Sequence, residues 1–398
     1  MAQQDLAPPI SSLDIDPVPA TAGTPARPVP TASERAPAGS IGPWAWARKN
    51  LFSSWLSTAV TLALGYVLLR WAVGFVSWGL IHAVWSVPDK APGVPDTTAC
   101  LDAKGVGACW AVIREKYRFI LFGRYPYDEQ WRPAICIALF IGLYAISAQR
   151  RFWRPMLLGI WLGVLAVIGV LMWGGVLGLQ PVGDDNWGGL PITLILATFG
   201  LAFAFPLAIL VALGRRSKNL PAVKALCVLY VELIRGVPLI SLLFMASVMF
   251  PLFMPDGVNI DKLLRAQVAV ILFAGAYLAE VVRGGLQSLP RGQYEAASAL
   301  GLTYWQTTRK IVLPQSLRIV IPPLVNTFIG FFKDTSLVLI IGIYDLLTAG
   351  QVAMSEPAWQ GYSTEVYLVL AAVYFAFCFA MSRYSRGLER DFSRARGR

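Results

Sequence analysis

Lys333 and Asp334, adjacent residues of opposite charge, stand near the middle of an apolar run over 319–344, with Asn326, Thr335 and Ser336 close by. An ionisable side chain in hydrocarbon costs several kcal/mol unless it is paired or serves a function. The group therefore reads as a candidate polar site inside a membrane; an ion pair to a neighbouring helix that fixes packing suits the same residues. Glu232 and Arg235 are spaced i, i+3 and share a helix face, just before Pro238 and near the inner end of their run. They are candidates for a gate salt bridge or for a plain packing pair. Glu280 and Arg283 repeat the spacing where snorkelling to the interface explains them. Metal, nucleotide and serine chemistry find little to work with: one histidine, His82, five cysteines without a CxxC, and no HExxH, GxxxxGK[ST] or GxSxG.

The elements that must position these groups are membrane spans. Of the 398 residues 56% are apolar and 14% charged, against roughly 25% charged in a soluble domain. The net charge of +11 gathers at the ends of long apolar runs, which points away from nucleic acid and toward membrane lipid. At ~20 residues per span, the runs are Phe52 to Leu69 with an extension toward Trp85, Pro133 to Ala148, Met156 to Leu179, Leu190 to Leu213, and about 225–254, 266–285, 319–344 and 364–384. This is an all-α polytopic membrane protein of about eight transmembrane helices. Basic residues accumulate inside: Arg48 and Lys49, then Arg150, Arg151 and Arg154, then Arg215, Arg216, Lys218 and Lys224, then the loop over 284–318, then Arg383 to Arg398. The short loops placed outside hold Asp184, Asp185, Asp256, Asp261, Asp345, Glu356 and Glu365 against Lys262 and Arg265. Both termini are then cytoplasmic. Residues 1–43 hold nine of the 27 prolines and no apolar signal stretch, and read as a disordered tail. The long outer loop, 86–132, contains Cys100 and Cys109; in an oxidising periplasm they form a structural disulfide, the other reading being two free thiols.

The loop over 284–318 is long for an inside loop. Gln293 to Leu300 is a helix former rich in small residues, with Glu295 expected in its first turn, Gly301 permits a sharp change of direction, and Tyr304 to Val312 can form a second short helix ended by Pro314. The product is a helical knob aimed at a cytoplasmic partner. Glu295, Ala296, Ala297, Gly301, Ile311, Leu313 and Pro314 match the EAA-x3-G-x9-I-x-L-P motif of ABC importer permeases at every defined position. Around it, Gly188 to Leu194, Ala212 to Ser217, Tyr230 to Pro238, Ala276 to Gly284 and Lys333 to Leu337 resemble the polar amino-acid permeases of that superfamily. The phrase from Asn50 to Leu64 is similar to the longer second permease of general L-amino-acid importers of Gram-negative bacteria.

The resemblance implies a five-helix ABC importer permease core over 188–386, preceded by an extension over 44–187 with three spans and followed by a basic tail over 387–398. It implies an L-amino-acid importer subunit of the bacterial inner membrane, without a catalytic site of its own. The motif loop would be the coupling helix that docks on an ABC ATPase dimer, and the ATP and Mg would belong to that partner. A homologous second permease would complete a heterodimer, and a periplasmic amino-acid binding protein would deliver substrate. A zwitterionic amino acid, with one carboxylate and one ammonium, suits Lys333 and Asp334. The alternative is an ion-driven secondary transporter or channel acting without an ATPase.

Overall fold

The computed structural model of the chain describes residues 42–91, 94–217, 219–258 and 260–396; the proline-rich tail, apart from Gly42 and Pro43, lies outside them. Among the described residues seven helices are long and apolar enough to cross a membrane, or eight if one bent pair counts as a single span. Only helices and closed barrels satisfy the backbone in lipid, and this protein is the helical case.

The chain divides into two units, Met1–Gly74 and Phe75–Arg398. The first holds α1 (Pro43–Asn50) and most of α2 (Trp55–Val76). Pro43 opens α1 where a missing N–H costs nothing, and Arg48 and Lys49 sit in its last turn, where the helix dipole favours cations. No residue of α2 is buried, and it is apolar all round, as a lone span is.

The second unit begins with the outer segment, which contains α3 (Ala111–Phe122). Cys100 and Cys109 are joined as a disulfide and fully buried. The Cys109 N–H donates to the buried Glu365 carboxylate at 2.9 Å, and Lys116 pairs with Glu356 at 2.6 Å. The helix Ala111–Phe122 thus packs on helices that follow residue 188. Next come α4 (Trp131–Ala148) and α5 (Met156–Trp173), which pack on each other. The run expected to span to Leu179 stops at Trp173, where buried Arg132 of α4 takes the carbonyls of Leu171 at 2.6 Å and Gln180 at 2.8 Å.

The core is made by α6 (Gly189–Arg215), α7 (Pro221–Gly236), α8 (Leu239–Phe244), α9 (Lys262–Gln287), α10 (Arg291–Ala299), α11 (Leu313–Asp334), α12 (Leu346–Ala353) and α13 (Ser363–Arg396). The buried face of α9 is rich in small residues, Ala266, Ala269, Ala274, Ala276 and Ala279 among them, so α6 and α9 lie close along their length. At the start of α6, Gly189 has φ +66, and a Cβ there would come within 2.1 Å of the Leu121 carbonyl oxygen. The same stretch pairs in parallel with the chain before α12, Gly188 with Tyr344 and Gly189 with Asp345.

Three expectations are corrected. The run over 225–254 is not one straight span: α7 and the segment Leu239–Leu252 meet at 104°. Pro238 has no N–H and drives the preceding residue out of the helical region, and Val237 is extended, with φ −111 and ψ 134. Pro314 does not end a helix, since helix continues from Tyr304 to Ile341. A π-turn over Thr308–Val312 widens the ladder just before the proline, where the ring and the lost hydrogen bond are tolerated. The last helix runs on to Arg396 rather than giving way to a separate tail at 387. The Ser385 hydroxyl bonds Glu389 at 3.4 Å, and Arg390 Nε bonds the Arg386 carbonyl at 3.2 Å.

Candidate functional site

The motif loop folds as a helix, a tight turn and a second helix. Pro290, with φ −59 and ψ 142, precedes the first residue of α10. The helix thus starts at Arg291, two residues before the expected Gln293, and Glu295 is its fifth residue, beyond the first turn where it was expected. Leu302 N–H donates to the Ala297 carbonyl at 3.1 Å and Gly301 N–H to the Ser298 carbonyl at 3.0 Å, which is a Schellman ending with Gly301 at φ +70. Thr303 and Gln306 then form a capping box for the next turn. Ala297 is buried, whereas Glu295 and Ala296 face outward. Leu300, at 78% exposure, and Trp305, at 67%, form an apolar tip that the motif does not include; their clue in the sequence is two large apolar residues beside a helix-ending glycine. Ile311, Leu313 and Pro314 lie at the root of α11, where Gln315 Nε2 donates to Gln293 Oε1 at 3.1 Å and to the Ile311 carbonyl at 3.0 Å.

A cluster of charges sits toward the C-terminal ends of α6, α7 and α9. Glu232 pairs with Arg215 at 2.9 Å, not with Arg235, so the gate bridge considered within α7 is replaced by one between helices. Arg235 lies 3.9 Å from Glu280. Glu280 is the hub: Arg215 reaches it at 2.8 Å, and Arg283 holds both its carboxylate oxygens. The Glu280 and Arg283 pair, read in the sequence as snorkelling, is part of this cluster, whereas Arg215 was not among the candidate residues, because its partners are 17 and 65 positions away in sequence.

The intramembrane group is elsewhere, on α11. There the α-helix gives way at Asp334 to a 3-10 stretch over Thr335–Ile341, a change that loosens the backbone ladder inside a span. Thr335 is buried, and its hydroxyl donates to the Phe332 carbonyl at 2.9 Å; the Ser336 hydroxyl donates to the Lys333 carbonyl at 2.8 Å. Lys333 and Asn326 are exposed and Asp334 is half-buried. Among the described residues no ion pair within 4 Å joins Lys333 or Asp334 to a neighbouring helix.

After the 3-10 stretch, buried Asp345 caps α12: it accepts from Thr348 N–H at 2.9 Å, Leu347 N–H at 3.2 Å and the Tyr374 hydroxyl at 3.1 Å. Burial pushes its carboxyl up, against the pull of these bonds. Asp184 shares a hydrogen bond with Asp261; that bond and then burial push the Asp184 carboxyl up to about 6. On Asp261 burial works against ionisation, but hydrogen bonds from Asp184 and the Leu264 N–H, the latter at 3.0 Å, hold it below its ordinary value.

Fold and loop together describe a helical membrane component with an exposed helical knob, and the comparisons bear on its kind. A family model described as binding-protein-dependent transport system inner membrane component matches residues 204–394. The inner membrane amino-acid ABC transporter permease protein YhdY of Escherichia coli (strain K12) is 48% identical over 359 residues, 88% of this chain and 93% of that protein. The glutamate/glutamine/aspartate/asparagine transport system permease protein BztC of Rhodobacter capsulatus is 39% identical over 417 residues, 90% of this chain and 96% of that protein. A solved structure, described as the crystal structure of an amino acid ABC transporter with histidines, matches at 30% identity and a TM-score of 0.46, covering 51% of this chain and 92% of that one. The chain belongs to the inner membrane components of binding-protein-dependent transport systems. It is a multi-pass inner membrane transport component, and a transporter working alone on an ion gradient is not favoured.

Proposed function

We propose that this chain is one transmembrane half of an ABC importer that carries L-amino acids from periplasm to cytoplasm. A homologous second permease completes the channel, a periplasmic amino-acid binding protein delivers the substrate, and an ATPase dimer holding ATP and Mg drives the cycle. The observation that carries the reading is α10 with its Gly301 turn, which presents Glu295, Leu300 and Trp305 on an exposed tip, as a knob meant for a groove on a cytoplasmic partner must. Two relatives that match nearly the whole chain, both described as permeases of amino-acid transport, support the substrate class. In this reading both termini are cytoplasmic, and Lys333 and Asp334 face the path of a solute that bears both charges.

The test is reconstitution in proteoliposomes with candidate ATPase, sister permease and binding protein, scanning radiolabelled L-amino acids. Uptake that requires ATP, the ATPase and the binding protein is expected. Uptake driven by an ion gradient with the ATPase left out would sink the proposal.

A further inference from the structure

Consecutive arginines at the C-terminal end of α6 reach different elements. Arg215 donates to Glu280 of α9 at 2.8 Å and to Glu232 of α7 at 2.9 Å. Arg216 Nη1 donates to the Leu286 carbonyl, in the last turn of α9, at 2.7 Å and to Tyr294 Oη of α10 at 3.1 Å, with its guanidinium 5.6 Å from the centre of the Tyr294 ring. The Tyr294 hydroxyl itself donates to the Leu286 carbonyl at 3.4 Å. One helix end is thus tied through Arg216 to the motif helix and through Arg215 to the charge cluster. The ties differ in strength. Glu280 is gripped by three arginines, whereas Glu232 has a side chain 62% exposed and, among the described residues, a single ion-pair partner, Arg215. An exposed single ion pair holds little free energy, so it is the bond that gives when the helix end moves.

Resting on the reading of α10 as the coupling helix, we propose that Arg216 and Arg215 are positioning residues that carry movement of α10 to α7. When a partner displaces α10, Arg216 follows Tyr294. Arg215 is the last residue of α6 and directly precedes Arg216, so a shift of this helix end draws the Arg215 guanidinium away from α7, and the bond to Glu232 opens. Arg215 remains on Glu280, so α9 stays in place while α7, already hinged from α8 at Val237 and Pro238, is released. Return of α10 restores the bond. The cluster acts as a latch on α7, with Arg216 and Tyr294 as its handle.

The whole transporter, with both permeases, the ATPase dimer and the binding protein in proteoliposomes, tests this. The readout is uptake of a radiolabelled L-amino-acid mixture per ATP hydrolysed, with ATPase retention measured on the same preparation. Arg216→Ala is expected to keep the ATPase bound and lower uptake per ATP at least 10-fold. Tyr294→Phe, which removes one oxygen, should lower it several-fold, and the double variant should fall no further than Arg216→Ala, because both changes cut one link. Arg216→Lys, still able to donate to the Leu286 carbonyl, should recover part of the loss. Wild-type uptake per ATP in Arg216→Ala, or losses that simply multiply in the double variant, would overturn the proposal. Should Arg216→Ala fail to fold, Tyr294→Phe alone decides: several-fold loss supports the latch and full efficiency removes it. The underlying reading has its own control. If Gly301→Val leaves the ATPase bound and transport intact, the coupling role itself is wrong; if it releases the ATPase while Arg216→Ala remains efficient, only the latch is.

Discussion

Gly301 has open space around the position a Cβ would take and a φ of +70, so a valine there is opposed by the backbone alone. A β-branched residue held left-handed costs about 1–3 kcal/mol; the turn is expected to open instead, displacing Leu300 and the tip. Gly301→Val should insert and purify normally but lose ATPase association at least tenfold in co-purification. Glu295→Lys should do the same by reversing an exposed charge, without the helix-dipole effect that a place in the first turn would have added. A second residue-scale prediction concerns pH. Since the folded value of Asp184 is raised to about 6, its stabilising contribution is complete below the ordinary carboxylate range and is lost as pH rises through about 6. Asp184→Asn keeps a donor for Asp261 without the charge. It should therefore raise Tm by about 1–2 °C at pH 7.5 and leave it unchanged at pH 5, a small effect because the site is largely open to water; equal shifts at both values would contradict the assignment. The motif residues were legible because a helix ending and its glycine are local chemistry. The Arg216 ties were not, because Leu286 and Tyr294 lie 70 and 78 positions away and nothing local marks them as neighbours.

Among the elements, α6 depends on an entry that only glycine fits. Gly189→Ala combines positive φ with a Cβ driven onto the Leu121 carbonyl and is expected to cost about 2–5 kcal/mol, seen as a lower Tm and poor monodispersity in size-exclusion chromatography. Wild-type behaviour would mean that the stretch can relax away from α3. Element positions were readable from apolar length and breakers, but their shapes were only partly so. Pro238 was visible as a disturbance, yet the 104° between its flanking segments depends on what each packs against. Pro314 reads as an end in the sequence because the π-turn that accommodates it has no signature in residue type.

For the molecule as a whole, the charge asymmetry places 106 outside and 300 inside. Val106 is 61% exposed and Leu300 78%, so single cysteines there should react in opposite ways with an impermeant thiol reagent in intact spheroplasts: Val106→Cys is labelled and Leu300→Cys is spared until the membrane is opened. Labelling of Leu300→Cys in sealed cells would invert the topology. The fold class and crossings followed from hydropathy. The attachment of the outer segment to the core did not, since it rests on partners far apart in the chain, Lys116 with Glu356 and Glu365 with a backbone N–H 256 residues earlier.

That one hydrogen bond also orders the birth of the molecule. Cys109 leaves the ribosome long before Glu365, and at about 5–20 residues per second the separation of 256 residues amounts to roughly 10–50 s. Over that interval the outer segment has been made but its acceptor has not, and the Cys100 and Cys109 cross-link can preserve its local shape without help from the core. The final helix then docks against a surface already set, so the last span synthesised closes onto a segment made before any helix of the core.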